Sequence, residues 1–320
     1  IRELQKNDVD VVVSRKQPMT YDNDSNFLAE HKIEAEVDDL SVDINLDYML
    51  GDLLDYSQFD AVMIEHRGMS VDLEGFIKEL QIIKNAAAEN VKIFIWDQDL
   101  WYSCIRDLPG KIREHITLLR PYYVAADMQV NQRFFPYFYS DVRKTLVKEP
   151  EYDLVYVGNV YGREAHFESF FSNKSSRLKI LVSGNWTIRV PELVAKYPNI
   201  EWIGPTPHWS TLPLISLAKA SVYLGKPGYD TEGLLTIRVF ESLMAGRPCI
   251  FGEWGATYNF TFRKLLRDLH VKTAEEAKRI LSFDAYSEYC RRFKDRFSGK
   301  EWSVETRANE LIEMIEDGKK

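Results

Sequence analysis

The sequence predicts an α/β protein made of two Rossmann-like domains facing each other across a cleft. One basis is length: 320 residues exceed what a single hydrophobic core comfortably serves, since domains of about 150 residues are usual. Another is the alternation of short apolar runs with helical stretches, which falls into two separate series along the chain. In addition, every run of the second series ends at a glycine.

The first series comprises Val9–Val13, Ala61–Glu65, Val91–Trp96 and Tyr122–Ala126. Runs this apolar suit a parallel sheet covered on both faces. Between the second and third runs, Leu73, Phe76, Ile77, Leu80 and Ile83 fall at helical spacing, so Val71–Glu89 is expected to be the crossover helix of a βαβ unit. Ile1–Lys6 reads as the end of a helix entering the first strand. An α/β domain usually begins with a strand and a tight loop, which here would precede Ile1.

The second series is Asp153–Gly158, Leu178–Gly184, Ile200–Gly204, Ala220–Gly225 and Pro248–Gly252. Glycine at the carboxyl end of a strand lets a ligand approach the backbone at the sheet edge where open α/β folds bind their ligands. Lys144–Tyr152 is polar, contains a proline and separates the two series. The expected division is residues 1–147 on the acceptor side, 148–300 binding the nucleotide, and a terminal amphipathic helix in 301–320 packing back on the first domain.

Lys and Arg total 41 against 49 Asp and Glu, for a net charge of −8. The stretch from Asp22 to Asp60 holds twelve acidic residues and Lys32 as its one base, so the rest of the chain is net +3. A solvated surface is the ordinary reading of such a run, and it leaves a polyanionic partner open elsewhere. Three scattered cysteines fit neither a disulfide framework nor a zinc site, and no His, Cys or carboxylate cluster has zinc spacing. No apolar run is long enough to span a membrane, and no secretory leader is readable, so the expected location is cytoplasmic.

The most informative segment is Leu224–Gly246, LGKPGYDTEGLLTIRVFESLMAG: a strand end, a polar loop, then a helix with Arg238 and Glu241 on one face. A guanidinium near a helix start, together with the helix's first amides, suits a diphosphate, and a carboxylate one turn on can accept bonds from ribose hydroxyls. The bland alternative is an ordinary surface ion pair, which the neighbouring glycines and small residues weaken. In the first series, Asp99 lies just past a buried strand, where a carboxylate can take a proton from a hydroxyl. Asp97 competes for that role, and a helix-capping turn is the structural reading of the same WDQD stretch. Trp101 flanks this turn, and Glu65, His66 and Arg67 follow the Ala61–Glu65 strand at the same sheet edge; these are candidate acceptor or sugar contacts.

Three segments, in order, resemble the DNA β-glucosyltransferase family of T-even bacteriophages. They are Ile93–Asp99 (IFIWDQD), Asp153–Glu164 (DLVYVGNVYGRE) and Thr236–Glu241 (TIRVFE), with Tyr229 ahead of the last. The likeness is good over about Asp153–Gly255, thin across the first half and absent in the acidic stretch. It implies the GT-B fold and a UDP-sugar co-substrate. Gly158, Asn159, Arg163, Thr206, Tyr229, Arg238 and Glu241 would then contact the donor. Arg163 and Arg238 would take the diphosphate, Glu241 the ribose, and Ile203–Pro207 the uracil through backbone around Thr206. Asp99 would be the catalytic base.

The resemblance also implies double-stranded DNA carrying 5-hydroxymethylated pyrimidines as acceptor, a base flipped from the duplex, and host cytoplasm as the location if the protein is viral. It implies no tightly bound cofactor and no protein-held metal, with Mg²⁺ or Mn²⁺ able to ride on the diphosphate. A phosphate-binding arginine of the family stands here as Tyr161. Glu232 and Glu241 have eight residues between them, against the seven of many retaining GT-B enzymes, and are not read as that pair; the resemblance implies an inverting reaction. Open beside this reading are a GT-B glycosyltransferase with a glycan, lipid or small-molecule acceptor, a nucleotide-sugar epimerase, and a non-catalytic nucleotide-binding module.

Overall fold

The computed structural model describes residues 4, 6–11, 25–31, 55–66, 73–86, 91–97, 109–121, 131–140, 149–172, 177–207, 210–226, 228–229, 233–252 and 264–317. The chain divides into two compact units. One comprises Ile1–Pro18, Asp43–Tyr137 and Val304–Lys320; the other comprises Met19–Val42 and Phe138–Ser303. In the first unit the division from the second falls at Tyr137, against an expected boundary at residue 147, and the terminal segment groups with the first unit.

In chain order, helix α1 (Ser25–Glu30) comes first and belongs to the second unit. Strand β1 (Ala61–His66), helix α2 (Leu73–Ala86), β2 (Lys92–Asp97), a short α3 (Gly110–Arg113), β3 (Ile116–Arg120) and β4 (Asn131–Phe134) then build the first unit. Its sheet runs β1-β2-β3-β4 with every pair parallel. The apolar stripe expected on α2 does its work: Leu80 and Ile83 are buried with Ile93, Ile95, Ile112, Ile116 and Leu118.

Strand β2 begins and ends within a residue of its expected limits. Of the expected strand Val9–Val13, the described residues 9–11 are not in a strand, and the remainder lies outside the described residues, as does Tyr122–Ala126. The strands that follow β2 are instead the five-residue ITLLR of β3 and the polar edge NQRF of β4.

The second unit continues with β5 (Tyr152–Val157), α4 (Glu164–Phe170), β6 (Ile180–Ser183), α5 (Trp186–Arg189), α6 (Pro191–Ala195), β7 (Ile200–Ile203), α7 (Thr211–Ser216), β8 (Ala218–Tyr223), α8 (Ile237–Met244), β9 (Cys249–Gly252), β10 (His270–Val271), α9 (Ala274–Ile280) and α10 (Phe283–Phe297). All five strands of the expected second series are present, and β10 is an additional edge. The parallel sheet order is β7-β6-β5-β8-β9-β10, in which strand order reverses between β5 and β8. That is the doubly wound order of dinucleotide-binding domains, and the crevice beyond the carboxyl ends of β5 and β8 is its switch point.

One face of this sheet is aliphatic, with Val155, Leu181, Leu214, Ile215 and Ala245. Phe27 and Leu28 of α1 join it, so part of the acidic stretch is anchored in a core rather than wholly solvated. Elsewhere the unit packs aromatic rings: Phe167 against Trp186, Tyr197 and Trp202, and Phe240 against Phe297 and Trp302. Helix α11 (Val304–Glu316) closes the chain in the first unit. It buries Ala308 and Leu311 and sets the Arg307 guanidinium over the ring of Phe135. No helix among the described residues is long and apolar enough to cross a membrane.

Candidate functional site

Strand β5 delivers its chain directly into the switch point. Gly158 donates its N–H to Ser183 O at 2.9 Å, continuing the β5–β6 ladder one residue past the strand. The next turn is then stitched to the loop after β6. Val160 N–H donates to Asn185 Oδ1 (3.0 Å), Asn185 N–H donates to Asn159 Oδ1 (3.2 Å), and the Trp186 indole donates to Gly158 O (2.7 Å). This closeness requires glycine at 184: its φ of +145° disfavours a side chain, and a β-carbon there would overlap the Gly158 carbonyl, 2.8 Å from its carbon. A cavity of about 140 Å³ opens above this seam, lined by Gly158, Asn159, Ser183, Thr206, Thr211 and Arg238 among others.

Two guanidinium groups are fixed at this edge. Arg163 ends the loop after β5 and reaches across the strand-order break, donating Nε to Leu224 O beyond β8 (3.0 Å) and Nη1 to Asn159 O (2.9 Å). Its guanidinium also lies 5.8 Å from the centre of the Tyr229 ring, which Lys226 approaches at 5.7 Å. Tyr229 is buried, so it holds Arg163 in place from beneath.

Arg238 stands in the first turn of α8. It donates to Thr211 Oγ1 (3.3 Å) and pairs with Glu241, whose carboxylate is buried while the arginine side chain stays about one-third exposed. Below the pair, Ser242 Oγ donates to Arg238 O and meets Ser221 Oγ at 2.6 Å, tying α8 to β8. Both guanidinium groups bear on the phenol of Tyr156. Burial pushes that phenol above its usual range, and the two cations oppose the shift.

At the far side of the cavity, Ser183 Oγ contacts Thr206 Oγ1 (3.1 Å) and donates to Gly204 O (3.3 Å), fixing the loop after β7 against β6. The arrangement is a cationic edge for a diphosphate beside a small pocket walled by backbone and hydroxyls. Chemically it suits a planar base next to two phosphates.

No protein-family model matches the chain, and no curated protein matches it in sequence. Solved structures do match it. Bacteriophage T4 β-glucosyltransferase in complex with its UDP-glucose substrate aligns over 86% of this chain and 87% of its own, with a TM-score of 0.58 and 14% identity. The same phage enzyme in complex with UDP and Mn²⁺ aligns over 84% and 86%, with a TM-score of 0.56 and 15% identity. Sucrose-phosphate synthase from Thermosynechococcus elongatus aligns over 81% and 74%, with a TM-score of 0.53 and 12% identity. The chain has the GT-B fold.

Of the residues singled out for the donor side of this GT-B chain, Gly158, Asn159, Thr206 and Arg238 line the cavity. Arg163 and Tyr229 stand together at the end of β8, and Glu241 sits behind Arg238. Glu65 and His66 end β1, with His66 in register opposite Asp97 at the end of β2. Asp97 is fully buried. Arg67, Asp99 and Trp101 lie outside the described residues.

Reading of the sequence passed over Asn185, which locks two loops, and His166, whose Nδ1 lies 2.6 Å from Gly225 O. It also did not single out Tyr156 of β5. A tyrosine among the apolar residues at the end of a buried strand was the available signal, because its hydroxyl needs a partner there. Among the described residues no group of three or more His, Cys, Asp or Glu is placed to hold a metal ion. The polar groups lining the cavity are a guanidinium, hydroxyls and amides, without the carboxylates that a protein-held divalent cation takes.

Proposed function

We propose that this chain is an inverting glycosyltransferase that moves a sugar from a UDP donor onto a 5-hydroxymethylated pyrimidine in DNA. The observation that carries the donor half is the pair Arg163 and Arg238, each immobilised by protein contacts at the switch point of a doubly wound sheet. Cations already held in place lose little on binding and stabilise the charge that builds on a departing diphosphate.

In the reaction, Asp99 takes the proton of the acceptor hydroxymethyl group. The acceptor oxygen bonds to C1 of the sugar from the face opposite the nucleotide. The C1–oxygen bond to the diphosphate breaks, and UDP leaves with that electron pair. Arg163 and Arg238 neutralise the diphosphate as it departs, while the pocket beside Ser183 and Thr206 holds the base. A Mg²⁺ or Mn²⁺ ion, if used, would travel on the diphosphate.

The DNA half rests on the three motif segments and on the structural neighbours, one of which is the DNA-modifying enzyme β-glucosyltransferase. A second reading keeps the donor and replaces DNA by a glycan, lipid or small molecule; the net charge of −8 favours it. Calorimetry with UDP should give saturable binding, and labelled sugar should pass from UDP-glucose to hydroxymethylcytosine DNA and not to unmodified DNA. Binding with transfer only to free acceptors would select the second reading. An absence of UDP binding would remove both.

A further inference from the structure

The Tyr156 hydroxyl makes no hydrogen bond to a described residue and is not among the described polar atoms sealed from solvent, although the residue as a whole is only 4% exposed. Buried tyrosine hydroxyls ordinarily have one. Its ring is held edge-on against Trp186, with centroids 5.7 Å apart, and the Trp186 indole is itself bonded to Gly158 O. The ring therefore has little freedom to turn elsewhere. The hydroxyl it presents lies under the α-carbon of Gly158: a β-carbon built at that glycine would stand 2.8 Å from Tyr156 Oη. Gly158 in turn lines the cavity.

A donor without an acceptor among the described residues, held at the carboxyl edge of β5 and within electrostatic reach of Arg163 and Arg238, is suited to an anionic oxygen. We infer that Tyr156 donates its phenolic proton in a hydrogen bond to a diphosphate oxygen of the bound nucleotide, as a third, uncharged member of the set formed by Arg163 and Arg238. This rests on the donor site proposed above. Glycine at 158 follows from the same geometry, since a side chain there would press on the phenol and close its path to the ligand.

The test is Tyr156→Phe, which keeps the ring and its packing on Trp186. Calorimetry would be run on the wild type and the variant with UDP, UMP and uridine. Losing one hydrogen bond to a charged acceptor should weaken UDP by about ten- to a hundredfold. Uridine, which lacks phosphate, should bind both proteins equally. UDP affinity unchanged in the variant, with the wild type binding normally, overturns the role of Tyr156 and leaves the donor site standing. Parallel losses for UDP and uridine also overturn it, by showing that the change is structural. A wild type that binds no UDP removes the donor site together with this role.

Discussion

Arg163 and Leu224 meet across the break in strand order: the arginine Nε donates to the leucine carbonyl at 3.0 Å, joining the loop after β5 to the end of β8. The same guanidinium bonds Asn159 O, so one side chain spans both walls of the switch point. A planar fork can do this, whereas an ammonium offers a point charge with no fixed geometry. Arg163→Lys is therefore expected to keep the charge and lose the span. UDP affinity should fall by about tenfold or more, read by calorimetry, with a loss of about 1 kcal/mol in chemical denaturation.

Arg238 and Glu241 make a second prediction. Arg238→Ala would take its guanidinium partner from the buried Glu241 carboxylate, so the variant should lose both UDP binding and about 3 kcal/mol of stability. Adding Glu241→Gln removes the stranded charge and should restore most of the stability but none of the binding. Thermal melting alongside UDP titration of the single and double variants separates the two effects. Equal stability in both variants would count against the pair as described.

The two aspartates past β2 should behave differently. Asp97 is fully buried at the strand end, and Asp97→Asn is expected to lower the melting temperature by several degrees. Asp99→Asn should leave the melting temperature and UDP affinity close to wild type while transfer falls by a factor of at least about 10³. Full activity in Asp99→Asn would move the base elsewhere.

Alkaline stability follows from Cys249. Burial pushes its thiol up to about 12, with hydrogen bonds from Ser221 and Ser242 opposing the shift, so the native state holds the proton longer than the unfolded chain. A raised native value means the contribution is complete below pH of about 9 and is lost as pH climbs from there towards 12. This one group should remove about 1.4 kcal/mol per pH unit across that window. Cys249→Ala should flatten the slope by that amount in urea titrations at successive pH values, leaving the part due to Cys290 and to the phenols that burial also raises, Tyr286 to about 12 among them.

Legibility from sequence tracked how much of each element's identity was local. The glycine-ended strands of the second unit could be read because burial on both faces leaves continuous apolar runs, and β5 to β9 lie where those runs are. Arg163 and Arg238 could be singled out because a charge beside a glycine loop or in a helix's first turn has few structural uses, and Glu241 because it shares a helix face with Arg238; their part in donor binding is the proposal above. Strand β4 could not, since NQRF at a sheet edge owes its conformation to β3 rather than to its own side chains. Nor could α1, where SNFLAE in an acidic run shows no long periodic stripe and its burial depends on Leu181, Leu214 and other residues more than 150 positions away. That the Tyr156 hydroxyl makes no hydrogen bond among the described residues was invisible for a related reason: it shows only once the surrounding residues have been placed.

The chain's route between its units bears on how the protein is made. Unit one includes α11, the last described helix, and unit two includes α1, the first. During vectorial synthesis the first unit cannot bury Ala308 and Leu311 until residues after Val304 emerge from the ribosome, so its completion trails that of the second unit. A cut at residue 137 would hand each half a gap that only the other half's polypeptide fills, and neither piece alone would be a fair stand-in for its lobe.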